Sequence, residues 1–262
     1  MNILYVGDVM GEMGIATIEA VLPKLRNEKS VDIVIAQAEN VSDGKGITIA
    51  DFARLKAAGV DFCTGGNWTL HNEDIIQALN DPNQPIIRPA NYPEGTPGLG
   101  YKYLQTGKGK ILVVSLLGDI VGKDADKPMQ NPLLMIDEIL QNKEETAAVV
   151  VNFHGDFSSQ KVVIGHYLDG RVSLAVGDHW HVPTADARVL PGGTAHITDV
   201  GMCGALNASL GVEFDSVIPR WRDGRQTRNV LVSSGAKQFN AVLVSTNDNG
   251  LTNSIEQIQL TL

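Results

Sequence analysis

The chain is poor in thiols, short of positive charge and free of long apolar runs, and each shortage removes a class of function. Its two cysteines, Cys63 and Cys203, are too few for a disulfide scaffold and wrongly spaced for a thiolate metal site. They read as buried free thiols. Lysine and arginine total 21 against 30 aspartates and glutamates, a formal net charge of −9. That balance argues against a protein that wraps duplex nucleic acid through a broad basic face. A small anionic substrate remains open, because bound divalent metals reverse the local charge. No stretch reaches the roughly 18 apolar residues of a membrane span. The opening MNILYVGDVMG lacks the charged start and apolar core of a signal peptide. The expectation is a cytoplasmic protein with no membrane partner. A Gly-rich loop ending in Lys-Ser/Thr is also missing, so Walker-type triphosphate chemistry is unsupported. Gly11 and Gly14 supply only a fragment of a dinucleotide fingerprint.

What is present is a globular composition: 262 residues, 43% hydrophobic and 19% charged. That is ample for a sizeable core, and with no repeat or linker the chain reads as one domain over 1–262. Met1 to Val6 is a short apolar run closed by Gly7 and Asp8, which predicts a buried strand. Ile15 to Leu25 has the apolar spacing of a helix. A second strand follows at Val31 to Ala36, a helix at Ile49 to Ala58 and a third strand at Val60 to Cys63. This alternation favours an α/β fold with a parallel sheet and helices on its faces. Five prolines between Pro82 and Pro97 punctuate a long surface connection. Beyond it the pattern predicts a hairpin (101 to 117), a helix near Leu133 to Leu140 and a strand at Ala147 to Phe153. A helix near Ser158 to Leu168 and a strand at Val172 to Val176 follow. From Arg228 onward, three β segments are expected, at Val230 to Ser233, Ala241 to Ser245 and Ile255 to Leu262.

Metal-binding side chains gather where these strands stop. Asp8 follows the first strand, Glu39 and Asn40 the second, and Asn67 the third; His154 follows the 147–153 strand, and His179 and His181 the 172–176 strand. In open α/β sheets the carboxyl ends of strands form the ligand crevice. An extended backbone at 179–181 would point both histidines the same way, past Trp180. Each residue alone is ordinary in a turn or a core. Their joint placement at strand exits is what independent accidents do not explain. Imidazole, carboxylate and amide donors suit iron, manganese or zinc. A carboxylate such as Glu39 can bridge two ions, a pair suited to phosphoryl transfer.

Segment by segment, the chain resembles the YmdB-like branch of the calcineurin-type metallophosphoesterases. The matching pieces are Gly7-Asp8-Val9-Met10-Gly11, Ala38-Glu39-Asn40, Gly66-Asn67 and Arg88-Pro89-Ala90-Asn91-Tyr92-Pro93. They continue with Asn152-Phe153-His154, Ser158-Ser159-Gln160-Lys161, Leu168-Asp169-Gly170-Arg171-Val172, Gly177-Asp178-His179-Trp180-His181-Val182 and Thr198-Asp199-Val200-Gly201-Met202. The resemblance implies a calcineurin-like sandwich of central β-sheets flanked by helices. It also implies a dinuclear centre and hydrolysis of phosphodiesters such as 2′,3′-cAMP. Carried over, Asp8, Glu39, Asn40 and His181 would hold one ion. Glu39 would bridge to a second, completed by Asn67, His154 and His179. Iron is the metal the family suggests, with manganese as alternative. Self-association is a further implication, with the C-terminal β segments as an edge.

The chain departs from that pattern beside the metals. The family has Gly-Asn-His after the third strand, and its histidine is the proposed proton donor; here the position holds Trp68. A neutral indole N–H is no general acid near neutral pH. Loss of such help costs about 10²–10⁴-fold in rate. Asn152 stands for a common Asp, Asp156 near a common Glu, and Asp178 and Trp180 for two threonines. Trp68 and Trp180 offer a stacking surface for a base or simply repack the pocket wall. His71, one turn beyond Trp68 if 68 to 79 is helical, is the surrogate acid, with a surface role as the bland alternative; Asp178 is a lesser candidate. Arg88 and Asn91 are candidate phosphate contacts, although the Pro-rich loop equally needs them for turn structure. An active phosphodiesterase is the first expectation. The alternative is a catalytically degenerate, metal-bound nucleotide sensor or partner-binding protein.

Overall fold

A computed structural model describes residues 1–122, 125 and 128–262. The first half runs β1 (Asn2–Val6), β2 (Asp8–Val9), α1 (Gly11–Glu28), β3 (Ile33–Gln37), α2 (Ile49–Ala57), β4 (Phe62–Thr64) and α3 (Ile76–Asn80). The hairpin β5 (Tyr101–Thr106) and β6 (Gly109–Leu117) follows, then α4 (Pro132–Asn142), β7 (Ala148–His154), α5 (Ser158–Tyr167) and β8 (Leu174–Asp178). Last come β9 (Arg188–Val189), β10 (Ala195–Ile197), β11 (Met202–Ala205), α6 (Phe214–Asp223), β12 (Lys237–Thr246) and β13 (Thr252–Thr261).

The strands form two sheets, one in the order β2-β11-β12-β1-β3-β4 with β13 beside β12, the other in the order β5-β6-β7-β8-β10-β9. β1 explains the architecture in five residues. Its Ile3 and Tyr5 enter the core between the sheets, with Ile33, Ile35, Val113, Val150 and Val176. Leu4 and Val6 pack the other way, against Ile15, Ile18 and Leu22 of α1 and Phe52 of α2. A strand buried on both faces has to be apolar throughout, which is why it reads as an unbroken run. The second sheet repeats the scheme, with Val149 and Val151 turned toward Ile136 of α4 and Ile164 of α5. The result is a helix–sheet–sheet–helix sandwich, the expected fold class.

β1, β3 and β4 are parallel, as are β6, β7, β8 and β10. The carboxyl edges of the two sets meet, since Glu39 beyond β3 lies 2.8 Å from His154 at the end of β7. Two expectations need correction. Residues 67–70 form a turn, and helix begins only at the 3-10 segment Glu73–Ile75 that leads into α3. The Val230 to Ser233 segment is no strand but an isolated bridge between Val212 and Leu231. Nor did the pattern predict α6, whose residues are all partly or fully exposed and so carry no buried stripe to read.

Candidate metal centre

Sheet one brings the oxygen donors. Asp8 sits in β2, held by parallel pairing to Met202 of β11, and is fully buried. Asn40 gives its amide nitrogen to Gly44 O at 2.9 Å, which leaves its Oδ1 3.3 Å from His181 Nε2. Asn67 Oδ1 is 3.2 Å from His154 Nε2. Gly66 makes this approach feasible: a Cβ there would fall 2.1 Å from Glu39 Oε2 and 2.5 Å from His154 Cδ2. Glycine at position 66 is therefore a steric requirement of this approach.

Sheet two brings the nitrogen donors. His154 is the last residue of β7 and wholly buried. His179 packs on it, ring centroids 4.4 Å apart. The backbone at 179–181 is not extended, contrary to expectation: β8 ends at Asp178, and His179 and His181 take φ of 102° and 64°. Positive φ is costly for residues with a Cβ and persists only where the surroundings impose it. The surroundings are a buried ion pair, Lys161 Nζ to Asp199 Oδ2 at 2.8 Å. The same Asp199 oxygen accepts the Trp180 backbone N–H at 2.9 Å, and His179 N–H reaches Asp8 Oδ2 at 3.2 Å.

The donors fit a cation. Asp8 Oδ1 is buried with no hydrogen-bond partner, a condition native proteins rarely leave uncompensated, and buried Glu39 Oε1 has only His154 Nε2 facing it, at 2.8 Å. Neighbouring donor atoms on an ion with bonds near 2.1 Å lie about 3 Å apart. Here the spacings are 2.8 Å for Glu39–His154, 3.2 Å for Asn67–His154, 3.3 Å for Asn40–His181 and 3.8 Å for Asp8–His181. Ligand atoms of Glu39, His154 and His179 lie within 4.8 Å of one another. Burial, reinforced by Asp178, pushes the Asp8 carboxyl well above its usual range. Burial would raise Glu39 too, but the facing His154 holds it down. His154 goes up despite burial, because Glu39 and Asp178 flank it. Burial drives His179 and His181 down to about 4, so both are neutral donors at neutral pH. A proton on His154 is thus the charge this cluster gathers unaided, and a metal cation would take its place. The thiols stay out of it: burial pushes Cys63 and Cys203 to about 12.

Several residues behind the donors escaped the sequence reading. Asp178 is not at the pocket; it is fully buried and accepts His154 Nδ1 at 2.6 Å, Tyr5 Oη at 2.9 Å and Gln37 Nε2 at 3.1 Å, together with the amide of Asn152. This corrects its reading as a surrogate acid. A carboxylate on the far nitrogen of a metal-ligating histidine fixes the ring and its tautomer. Two departures from the family pattern, Asn152 and Asp178, therefore meet in one hydrogen bond. Polar Tyr5 and Gln37 inside apolar strands were the available signal.

The pocket wall is different in kind. Trp68 donates its backbone N–H to Glu39 Oε2 at 3.1 Å, and its ring meets His71 edge-on at 5.6 Å. His71 is exposed, and its backbone N–H bonds Trp68 O at 2.9 Å, so a turn rather than a helix brings the two together. Both border a cavity of about 450 Å³ shared with Asn67. Of the two roles open to Arg88 and Asn91, their hydrogen bonds are those of turn structure. The Arg88 guanidinium donates to the carbonyls of Pro89, Ala90, Thr96 and Pro97. Asn91, fully buried, clamps Leu117 N–H and the carbonyls of Leu117 and Gln130. Prolines cannot donate, and these side chains satisfy the loop instead. Trp180 is likewise engaged, its indole N–H on Asp156 O at 2.9 Å and Lys161 Nζ 4.1 Å from its ring centre.

The chain is 36% identical over 250 residues to the 2′,3′-cyclic-nucleotide 2′-phosphodiesterase of Bacillus subtilis, covering 95% of this chain and 92% of that protein. The crystal structure of a phosphatase from Mycoplasma pneumoniae superposes with a TM-score of 0.92 at 30% identity, covering 100% of this chain and 93% of that one. A 5′-nucleotidase precursor from Thermus thermophilus shares the fold alone, at 12% identity and a TM-score of 0.56, over 99% of this chain and 54% of that one. The model of the YmdB-like proteins matches residues 4–258. The chain belongs to the YmdB-like family.

Proposed function

We propose that this protein is a dinuclear-metal phosphodiesterase acting on small phosphodiesters, with 2′,3′-cyclic nucleotides as its substrate class. The hydrolase class comes with family membership, and the Bacillus relative's name supports the substrate class. The observation that carries the reading is the pair of buried carboxylates, Asp8 and Glu39, facing imidazoles of the opposite sheet, with Asp8 Oδ1 left without a hydrogen-bond partner. Asp8, Glu39, Asn40 and His181 would hold one ion; Glu39, Asn67, His154 and His179 the other. Iron is the proposed metal and manganese the alternative, both matched to nitrogen and oxygen donors.

Hydrolysis forms a bond from a water oxygen to phosphorus, breaks the bond to a ribose oxygen and delivers a proton to that oxygen. Bound cations supply positive charge for the phosphoryl oxygens and lower the pKa of water. Glu39 and Asp8 balance that charge, and Asp178 holds His154 in place. Proton delivery is where this chain differs, since Trp68 cannot provide it. His71, touching Trp68 at the mouth of the same cavity, is the side chain left to do so. Trp68 also favours a second reading, a metal-bound nucleotide sensor without turnover. Assay of iron- or manganese-loaded protein against cyclic nucleotides, aryl phosphodiesters and phosphomonoesters separates the two. Chelator-sensitive diester hydrolysis is expected. Full metal content with no turnover on any substrate would leave the sensor.

A further inference from the structure

The cavity beside the centre is built for something flat and uncharged. Its described lining includes Asn67, Trp68, Leu70, His71, Tyr92 and Pro93 and contains no acid, lysine or arginine. At about 450 Å³ it falls among small-molecule sites. Asn67 belongs both to this wall and to the metal donors, so a group seated here is joined directly to one reacting at the ions.

Its aromatic walls are held still. Tyr92 donates its hydroxyl to Gly66 O at 3.1 Å. Trp68 is fixed at its backbone by Glu39, on one ring face by the Lys45 ammonium 4.6 Å from the ring centre, and at its edge by His71 at an interplanar angle of 87°. A rigid indole offers a stacking platform that has already lost its rotamer entropy. Trp180 does not border the cavity, and its N–H is spent on Asp156.

We infer that this cavity seats the nucleobase of the substrate, with the Trp68 indole as its stacking surface. The inference rests on the phosphodiesterase reading of the adjoining centre. Position 68 would thereby have exchanged proton donation for recognition: the tryptophan favours diesters carrying a base over those without one.

The test compares metal-loaded wild type, Trp68→Phe and Trp68→Leu on adenosine 2′,3′-cyclic phosphate and on glycerol cyclic phosphate, which has the same ring and no base. Circular dichroism and metal content establish that the variants are intact. Base stacking is worth about 5- to 150-fold in binding. Trp68→Leu should therefore lose about 10-fold more kcat/KM on the nucleotide than on the glycerol ester, chiefly through KM, and Trp68→Phe should retain most of it. Independently of turnover, a Trp180→Phe, Trp221→Phe background leaves Trp68 as the sole indole, and adenosine monophosphate should quench its emission saturably. Equal losses on both esters with no quenching would overturn the base seat while leaving the hydrolase intact. Saturable quenching in a protein that hydrolyses neither ester would keep the seat and overturn the hydrolase.

Discussion

The two sheets contribute opposite chemistry to the proposed centre. Sheet one supplies oxygens only, from Asp8, Glu39, Asn40 and Asn67; sheet two supplies nitrogens only, from His154, His179 and His181. The oxygen side carries the negative charge and is shaped by close backbone approach, as at Gly66. The nitrogen side is neutral at His179 and His181 and is shaped by buried acids behind it, Asp178 and Asp199. Charge on one side and orientation on the other are separable properties, so damage to each should look different. Loss of charge should empty the centre, whereas loss of orientation should loosen it.

The largest effect should come from the charged side. Glu39→Gln removes the carboxylate proposed to bridge the two ions. Metal analysis should show the loss of both ions, with kcat/KM down by about 10³-fold, in line with loss of a group acting on developing charge. Retention of one full equivalent would show that Glu39 serves a single ion. Asp178→Asn leaves every donor in place but frees the His154 ring, and titration calorimetry should show about 10- to 100-fold weaker metal binding. No change in affinity would mean that strand geometry alone orients His154.

Trp68→His tests the wall against the cradle. With metal content unchanged, kcat on cyclic nucleotides should rise by about 10-fold or more, and by less on an activated aryl diester, whose departing oxygen needs little protonation. His71→Ala should do the reverse and hurt the poor leaving group most. Equal effects on both substrates would assign position 68 to pocket shape alone. The smallest change is Tyr5→Phe, which deletes one hydrogen bond to Asp178 across the sheets. A destabilisation of about 1.5–3 kcal/mol, the range for bonds to charged groups, should appear in denaturant melts. A null result there would mean that Gln37 and Asn152 suffice.

Much of the donor side was legible because β1, β3, β4 and β7 are buried on both faces. Such strands are mostly apolar, so the acids, amides and histidine at or just beyond their ends mark the edge of the sheet. The orienting side was not. Tyr5, Gln37 and Asp178 make contacts between segments far apart in the chain, and along one strand each reads as an interruption of the pattern. The left-handed turn at His179 and His181 was hidden for a similar reason: Lys161 and Asp199 impose it from outside. Arg88 and Asn91 stood open between anion contact and turn structure because a sequence does not reveal which loop carbonyls lack donors.

The place of β12 gives the sandwich a kinetic character. Asn2 pairs with Ser245 and Val6 with Ala241, so β1 lies between its near neighbour β3 and a strand from the far end of the sequence. The first sheet therefore cannot close by local zippering; its middle seam has to find a partner by diffusion of a long intervening chain. Contacts of such high sequence separation slow folding. Until that seam closes, β3 and β4 can present Glu39 and Asn67 on only a partial sheet. Metal uptake during refolding should accordingly lag behind helix formation and keep time with the pairing of β1 and β12.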